Sequence, residues 1–355
     1  MKFTIGTARL QALLNRAVRG AGCNKLIPMT SLIAIELKDK VLKVTTTDAT
    51  NYLTLIEKDV EGDEFYVVVQ VDLLSKLVSK MTCDNVTLEV TDNSLDVIGN
   101  GKYQIEVPLE DDGSQVKLPN PTDSFKLDTK IGTADSSVIL ATLTSIKPAL
   151  ATTMDYPWFT CYYVKDSITA TDTYTVSNYK TGFLEEPKLI GADTMDLLGL
   201  FTENIDVYVD ADKMLFKCAG GCVYTTIPSG IEQYSIDAIQ GLVSQSFDYS
   251  CTVVKSSLLN LLDRIALFVG TYDNGKITLS FSKDGLEVTS RYANEVIAYV
   301  KYEGGGDFTC QTDVNTLTTQ VRALTGSEIT IEYGNSNAIK LVDGDITSVV
   351  ALLEE

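Results

Sequence analysis

The sequence predicts an α+β protein made of three tandem copies of one unit, each with two short helices and two groups of antiparallel strands. Three observations carry this: a strictly alternating strand that appears three times, a Lys-Asp turn with nearly the same spacing, and helix-spaced apolar segments ahead of each strand group. A period near 120 residues is too long for a solenoid, so each copy is expected to be a small domain with its own core, bounded as 1–121, 122–249 and 250–355.

The elements follow in one order in every copy. A first helix is predicted over Thr7 to Arg19, Thr133 to Lys147 and Ser256 to Phe268, where Leu, Ile or Val recur at i, i+3 and i+4. A strand pair follows around Lys38-Asp39, Lys165-Asp166 and Lys283-Asp284-Gly285. The second helix is marked by Leu73, Leu74 and Leu77; by Met195 and Leu198 with Asp193 as N-cap; and by Val314, Leu317, Val321 and Leu324 with Thr312 or Asp313 as cap. Each copy closes with Val86–Val90, Ile205–Val209 or Ile329–Tyr333, whose apolar residues two apart face a core, and two further strands, the last being Tyr103 to Val107, Val223 to Ile227 and Ile346 to Val350. Linkers are placed where composition loosens, around Pro119-Asn120-Pro121 and Gly241 to Ser250.

Composition removes several function classes. There is no histidine, so Ser-His-Asp and Cys-His nucleophiles, histidine bases and histidine metal ligands are excluded. Seven scattered cysteines do not make a disulfide framework in a chain of 355 residues, and a reducing cytoplasm is expected. The N-terminus lacks the apolar core of a signal peptide, and no run is long enough to span a bilayer. The net charge of −19 argues against a surface that grips phosphates everywhere, though not against a local basic face.

The charge is unevenly placed. The helical segments 7–19, 72–81, 133–147, 192–200, 255–268 and 313–325 hold nine cations against six aspartates, a net +3, which leaves −22 elsewhere. Two readings fit: helices that face a polyanion, or Lys and Arg placed on exposed helix faces for their helix propensity.

At Leu26-Ile27-Pro28-Met29, Leu32-Ile33-Ala34-Ile35 and Val44-Thr45-Thr46-Thr47-Asp48 the chain resembles the first domain of the bacterial β sliding clamp. The Met1-Lys2-Phe3-Thr4 start, Val67 to Met81, and the run from Val107-Pro108-Leu109 to Leu118-Pro119-Asn120 agree. Ala170-Thr171-Asp172-Thr173-Tyr174 is similar to that family's second-domain Thr-Asp turn, and the chain stops directly after the strand-like Ser348 to Leu353.

The resemblance implies three DNA-clamp-like domains forming a half ring, closed by a second copy head to tail, with helices lining a hole wider than a duplex. It implies a non-catalytic processivity factor in the cytoplasm that binds double-stranded DNA without sequence preference, and a replicative polymerase and clamp loader through short linear motifs. No cofactor, metal or membrane is implied. The DNA-facing residues become Arg9, Arg16, Arg19, Asn24, Lys25, Lys76, Lys80, Lys147, Lys255 and Arg264. The subunit contact falls on Leu73, Lys76, Leu77 and Lys80 opposite Leu267 and Phe268, and the last two fit the third domain's core equally well. The partner groove falls on Phe159, Thr171, Thr173, Tyr174, Thr175, Val176, Val349, Ala351, Leu352 and Leu353. Both ends of that groove depart from the family. The turn usually reads Thr-Asp-Gly-His-Arg-Leu but is Thr-Asp-Thr-Tyr-Thr-Val, and the tail usually ends Met-Pro-Met-Arg-Leu but ends Ala-Leu-Leu-Glu-Glu. A changed peptide preference is therefore expected, as suits a clamp of a phage or mobile element.

Other constellations carry less. Cys218-x3-Cys222 has no second pair and reads as small residues in strands around Gly220-Gly221. Gly304-Gly305-Gly306 opens no helix and reads as a turn, and Asp111-Asp112 and Glu185-Glu186 read as solvated loop charge. Trp158 fits the groove or the second core. A β-rich structural protein of a virion or cell surface is the alternative to a clamp; its helices would need no basic bias.

Overall fold

The computed structural model describes residues 1–22, 26–91, 93–270, 275–304, 307–334 and 337–353. The chain divides into two compact units, Met1–Ser136 with Asp193–Ile227, and Ser137–Ala192 with Pro228–Glu355. Each holds one long and one four-stranded antiparallel sheet.

The three copies are visible in strand pairing. In the first, Lys2–Gly6 pairs with Asn85–Val90, which continues through Ser94–Ile98 to Lys102–Glu106. The same path runs from Lys130–Ala134 through Ile205–Asp210 and Lys213–Cys218 to Gly221–Thr226. It runs again from Tyr249–Val254 through Glu328–Tyr333 and Ala338–Asp343 to Ile346–Ala351. The other group of each copy is equally regular. Phe65–Gln70, Lys188–Gly191 and Phe308–Asp313 each pair with the strand that opens a meander around the expected Lys-Asp turn, ending at Asn51–Glu57, Thr175–Tyr179 and Asn294–Ile297.

The first unit joins two groups through Asn51–Glu57 on Gly221–Thr226, giving eight strands. At that seam Gly221 has φ +144 and pairs with Leu55, and a Cβ there would lie 2.1 Å from the Thr54 carbonyl oxygen, so only glycine fits. Helices α1 (Thr7–Ala17) and α2 (Val71–Ser79) pack together in this unit. Leu10, Leu13, Leu14 and Ala17 form the buried stripe of α1, while Gln11 Nε2 donates to the carbonyls of Val78 (2.9 Å) and Met81 (3.2 Å) at the end of α2.

The second unit joins its groups through Thr175–Tyr179 on Ile346–Ala351, giving nine strands. The predicted helix over 133–147 is split. Lys130–Ala134 is a strand, α3 spans Ser136–Ala141, and a π-helical turn at Thr142–Ile146 precedes the 3-10 turn Lys147–Ala149. Thr142 and Thr144 donate their hydroxyls back to the carbonyls of Val138 and Leu140, both at 2.8 Å, which loosens the helical ladder, and Pro148 ends it. Helix α4 spans Ala192–Leu198 and belongs from Asp193 onward to the first unit; Asp193 lies within its first turn and is not its N-cap. The segment Gly241 to Ser250, read as a linker, contains the end of helix α5 (Ile236–Ser244) and the start of strand Tyr249–Val254. Helices α6 (Lys255–Ala266) and α7 (Val314–Ala323) pack together, and Asp313 caps α7 by accepting the Thr316 N–H at 2.7 Å.

Candidate functional site

The Thr-Asp turn of the second copy is held by its own side chains. Thr171 Oγ1 donates to the Thr175 carbonyl (2.7 Å), and Asp172 Oδ1 accepts from the backbone N–H groups of Tyr174 (2.9 Å) and Thr175 (2.6 Å). Thr173 sits at φ +79. The first copy builds the same turn: Thr47 Oγ1 donates to the Asn51 carbonyl (2.6 Å), Asp48 Oδ1 accepts from the N–H groups of Thr50 (2.8 Å) and Asn51 (2.6 Å), and Ala49 has φ +82. The Thr-Asp pair is therefore a folding device shared by two copies. Only the residues at its tip distinguish them. Thr171 and Thr175 are buried and consumed by the turn, whereas Thr173 is exposed and Tyr174 is 72% exposed.

The C-terminal strand lies beside this turn. Thr175 pairs with Val350 and Val176 with Val349, and the Ala351 N–H donates to the Tyr174 carbonyl (2.9 Å). Past Ala351 the tail turns away, with Leu352 N–H on the Asn337 carbonyl and Leu353 N–H on the Gln311 carbonyl, both at 2.8 Å. Ala351 and Leu353 are exposed and Leu352 is half-buried. Glu354 and Glu355 lie outside the described residues.

Val176 and Val349, which the resemblance implies for the groove, are buried beneath the surface. They join Cys161, Tyr163, Leu189, Tyr234, Ile239 and Ala338 in one apolar cluster. Helix α5, missed in the sequence, packs over strands 175–179 and 346–351 and supplies Ile239. The fully buried Tyr234, just before it, donates its hydroxyl to the Thr169 carbonyl at 3.0 Å. Trp158, Phe159, Ile231, Ile236 and Val243 pack on this cluster and stay partly exposed, so Trp158 is both an edge of the core and part of the surface. The rings are continuous: Tyr156 lies 5.8 Å from Trp158, Trp158 lies 6.0 Å from Phe159, and Phe159 lies 5.4 Å from Tyr234. Burial pushes the Cys161 thiol up, and burial with the nearby charges of Asp166 and Asp237 raises the Tyr163 hydroxyl.

The basic helix faces are more neutralised than the sequence count implied. In the first unit the Arg9 guanidinium binds the Glu57 carboxylate and donates to the Lys58 carbonyl (2.9 Å), and Lys76 pairs with Asp72 (2.8 Å). Arg16 lies over the Phe201 ring, while Arg19 and Lys80 are exposed. Asn24 and Lys25 lie outside the described residues. In the second unit Arg264 binds Glu295 through Nε (2.9 Å) and Nη2, which holds the Glu295 carboxyl below its usual range. Arg322 pairs with Asp263 at 3.0 Å. The Lys255 ammonium donates to the carbonyls of Arg322 and Leu324, serving the end of α7. Lys147 sits half-buried on its 3-10 turn.

The alternative that Leu267 and Phe268 fill a core is overturned. Leu267 is 81% exposed and Phe268 half exposed just past α6; on α2, Leu73 is exposed and Leu77 half-buried. Cys218 and Cys222 lie on the two strands of one hairpin around Gly220-Gly221. Asp112 accepts the N–H (2.9 Å) and hydroxyl (2.6 Å) of Ser114, which lower its carboxyl pKa, and Glu186 pairs with Lys188 at 3.4 Å. Gly305 and Gly306 lie outside the described residues.

Residues 1–120 match the family model for the DNA polymerase III beta subunit, N-terminal domain. No curated protein matches the chain by sequence. Among solved structures, the DNA polymerase sliding clamp of Bacillus subtilis is similar over 100% of this chain and 99% of its own, with TM-score 0.83 and 18% identity. The beta subunit of Streptococcus pyogenes DNA polymerase is similar over the whole of both chains, with TM-score 0.87 and 15% identity. The subunit beta of Borrelia burgdorferi, solved in complex with a natural product, gives TM-score 0.85 at 15% identity, covering 100% of this chain and 99% of that one. Residues 1–120 thus match the N-terminal domain of the DNA polymerase III beta subunit, and the whole chain has the fold of the bacterial β sliding clamps, far diverged in sequence.

Proposed function

We propose that the chain is a DNA sliding clamp, a non-catalytic processivity factor that encircles duplex DNA as a head-to-tail homodimer and tethers a replicative polymerase and a clamp loader. One observation beyond the family match carries the reading. Wherever two copies of the repeat are joined, the last strand of one group pairs with the last strand of the next copy's group: Asn51–Glu57 with Gly221–Thr226, and Thr175–Tyr179 with Ile346–Ala351. Two such strands are left as sheet ends, Asn294–Ile297 and Lys102–Glu106. If the rule is applied once more, these edges pair between two chains, and because they come from opposite ends of the sequence the association is head to tail and closes. Both edges carry exposed apolar side chains, Val296 and Tyr103, and the exposed Leu73, Leu267 and Phe268 suit the same contact, with Leu77 beside them.

On this reading the three domains are 1–121, 122–249 and 250–355. Arg16, Arg19 and Lys80 make the loose phosphate contacts, with Asn24 and Lys25 nearby in the sequence, and the half-buried Lys147 contributes less. Arg9, Lys76, Lys255 and Arg264 contribute less, because carboxylates or carbonyls already hold them. A lining this weak does not retain DNA by affinity; closure does, and sliding follows because nothing reads a base edge. Partners dock by short linear motifs at the surface around Thr173, Tyr174, Phe159, Ala351 and α5. The cytoplasm is the compartment where these partners work. The structural-protein alternative explains neither the family match nor the matched sheet edges.

The test is sedimentation of the chain, followed by a polymerase assay with a clamp loader on primed circular DNA. A dimer mass and longer products are expected, with both lost in Leu267→Asp. A monomer that leaves product length unchanged sinks the proposal.

A further inference from the structure

We propose that the peptide recognised at the Tyr174 and α5 surface is basic, carrying lysine or arginine beside an aromatic or long aliphatic anchor. This rests on the partner-docking reading above and adds the chemistry of the partner.

Charge is the first argument. Four segments build this surface: 149–164, 168–179, 228–250 and 346–353. They contain Asp155, Asp172, Glu232, Asp237 and Asp248 and no lysine or arginine, although those two residues number 29 in the whole chain. The one lysine brought onto the same sheet face, Lys340 opposite Val349, is only 8% exposed and is neutralised by Glu332 at 2.6 Å while donating to the Gln245 carbonyl at 2.7 Å. No cation on these segments is free to meet an acidic partner. Burial first, and then the charges of Asp166 and Asp237, raise the Tyr163 hydroxyl, which puts Asp237 of α5 close to the cluster; Asp166 is offset by its sequence neighbour Lys165.

The second argument is independent of charge. The exposed rings of this surface are Tyr156 and Tyr174, with Trp158 and Phe159 partly exposed behind Tyr156. Aromatic faces attract ammonium and guanidinium groups, most strongly where carboxylates lie close and water is partly excluded. Leu242 of α5 adds exposed apolar area for an anchor. An acidic peptide would bring like charge to the carboxylates and gain nothing from the rings.

The test uses the full-length chain and three labelled peptides that share one Leu-Phe anchor, flanked by Lys and Arg, by Ser and Gln, or by Asp and Glu. Anisotropy gives affinity. The fluorescence of Trp158, the chain's single tryptophan, reports whether binding occurs at this surface. The basic peptide is expected to bind about tenfold tighter than the acidic one at low salt, converging as salt rises, with a change in Trp158 emission. Asp237→Asn is expected to weaken the basic peptide about threefold and leave the neutral one unchanged. Equal or tighter binding of the neutral or acidic peptide, with a Trp158 response, overturns this inference and leaves the docking reading standing. Basic-peptide binding without a Trp158 response overturns it as general attraction to an acidic protein. If no peptide binds, both readings fall.

Discussion

Lys340 and Glu332 form an ion pair at 2.6 Å on neighbouring strands of the nine-stranded sheet, and the same ammonium reaches the Gln245 carbonyl just past α5 and lies over the Phe247 ring. One buried cation therefore ties the end of α5 to the sheet that α5 covers. Removing it leaves Glu332, itself largely covered, without its counter-ion, and frees the segment after the helix. Lys340→Met is expected to cost about 2–4 kcal/mol in urea unfolding, because breaking one side of a covered pair is worse than replacing both. Glu332→Met on that background should recover part of the loss, which a double-mutant cycle measures. Amide exchange in 236–244 should quicken in Lys340→Met; unchanged exchange would mean that α5 is held by its apolar face alone.

The duplicated Thr-Asp turn allows structure and function to be separated. Asp48 and Asp172 each accept two backbone N–H groups in equivalent turns. Asp48→Ala and Asp172→Ala should each lower stability by about 1–3 kcal/mol, since each leaves partly buried donors unpaired. Only Asp172→Ala is expected to weaken partner peptides, because only its turn carries Tyr174 beside the C-terminal strand. Equal peptide affinity in the two variants would remove the turn from the docking surface.

The sequence shows its repeats because sheet alternation and polar turns are local signals. The strands at 86–90, 205–209 and 329–333 and the turns after Lys38, Lys165 and Lys283 lie in the predicted order. Helix α5 was illegible for a physical reason. Its N-cap, Ser235, sits at φ +52 and makes no side-chain cap bond, and Gly241 interrupts its apolar spacing. The ion pairs are not legible in the sequence because the partners are distant along it: Glu57 lies 48 residues from Arg9, and Glu295 lies 31 from Arg264. A count of helix charges sees only the cations. Burial of Val176 and Val349 was equally invisible, since an exposed and a covered strand face read alike when the covering helix is unseen.

The glycine pair at 220–221 predicts a sharp contrast. A Cβ at Gly221 would meet the Thr54 carbonyl at 2.1 Å with φ already at +144, so Gly221→Ala must shift the seam of the eight-stranded sheet. A loss of about 2–3 kcal/mol is expected in urea unfolding. At Gly220 the nearest atom to a new Cβ is a Glu203 carboxylate oxygen at 3.4 Å, on a movable side chain. Gly220→Ala should stay within about 0.5 kcal/mol of the parent. Equal losses would show that the seam tolerates a side chain.

Buried thiols make the fold sensitive to alkali. Burial alone pushes Cys251 and Cys310 up to about 12. In the unfolded chain a thiol ionises near about 8.5. Above that value the unfolded state binds fewer protons than the folded state, so stability falls as pH rises; below it the two states hold equal protons and there is no effect. Between pH 8.5 and 9.5 each of the two thiols should remove about 1 kcal/mol, read as a falling urea midpoint. The same burial leaves only about one thiol in ten thousand ionised at pH 8, so Cys251 and Cys310 should resist iodoacetamide in the native protein and react once it is unfolded in urea. Replacing both by alanine tests the link directly: the pH slope should shrink by the share of these two groups, and an unchanged slope would assign the alkaline loss to other buried acids such as Tyr234, whose hydroxyl burial also raises.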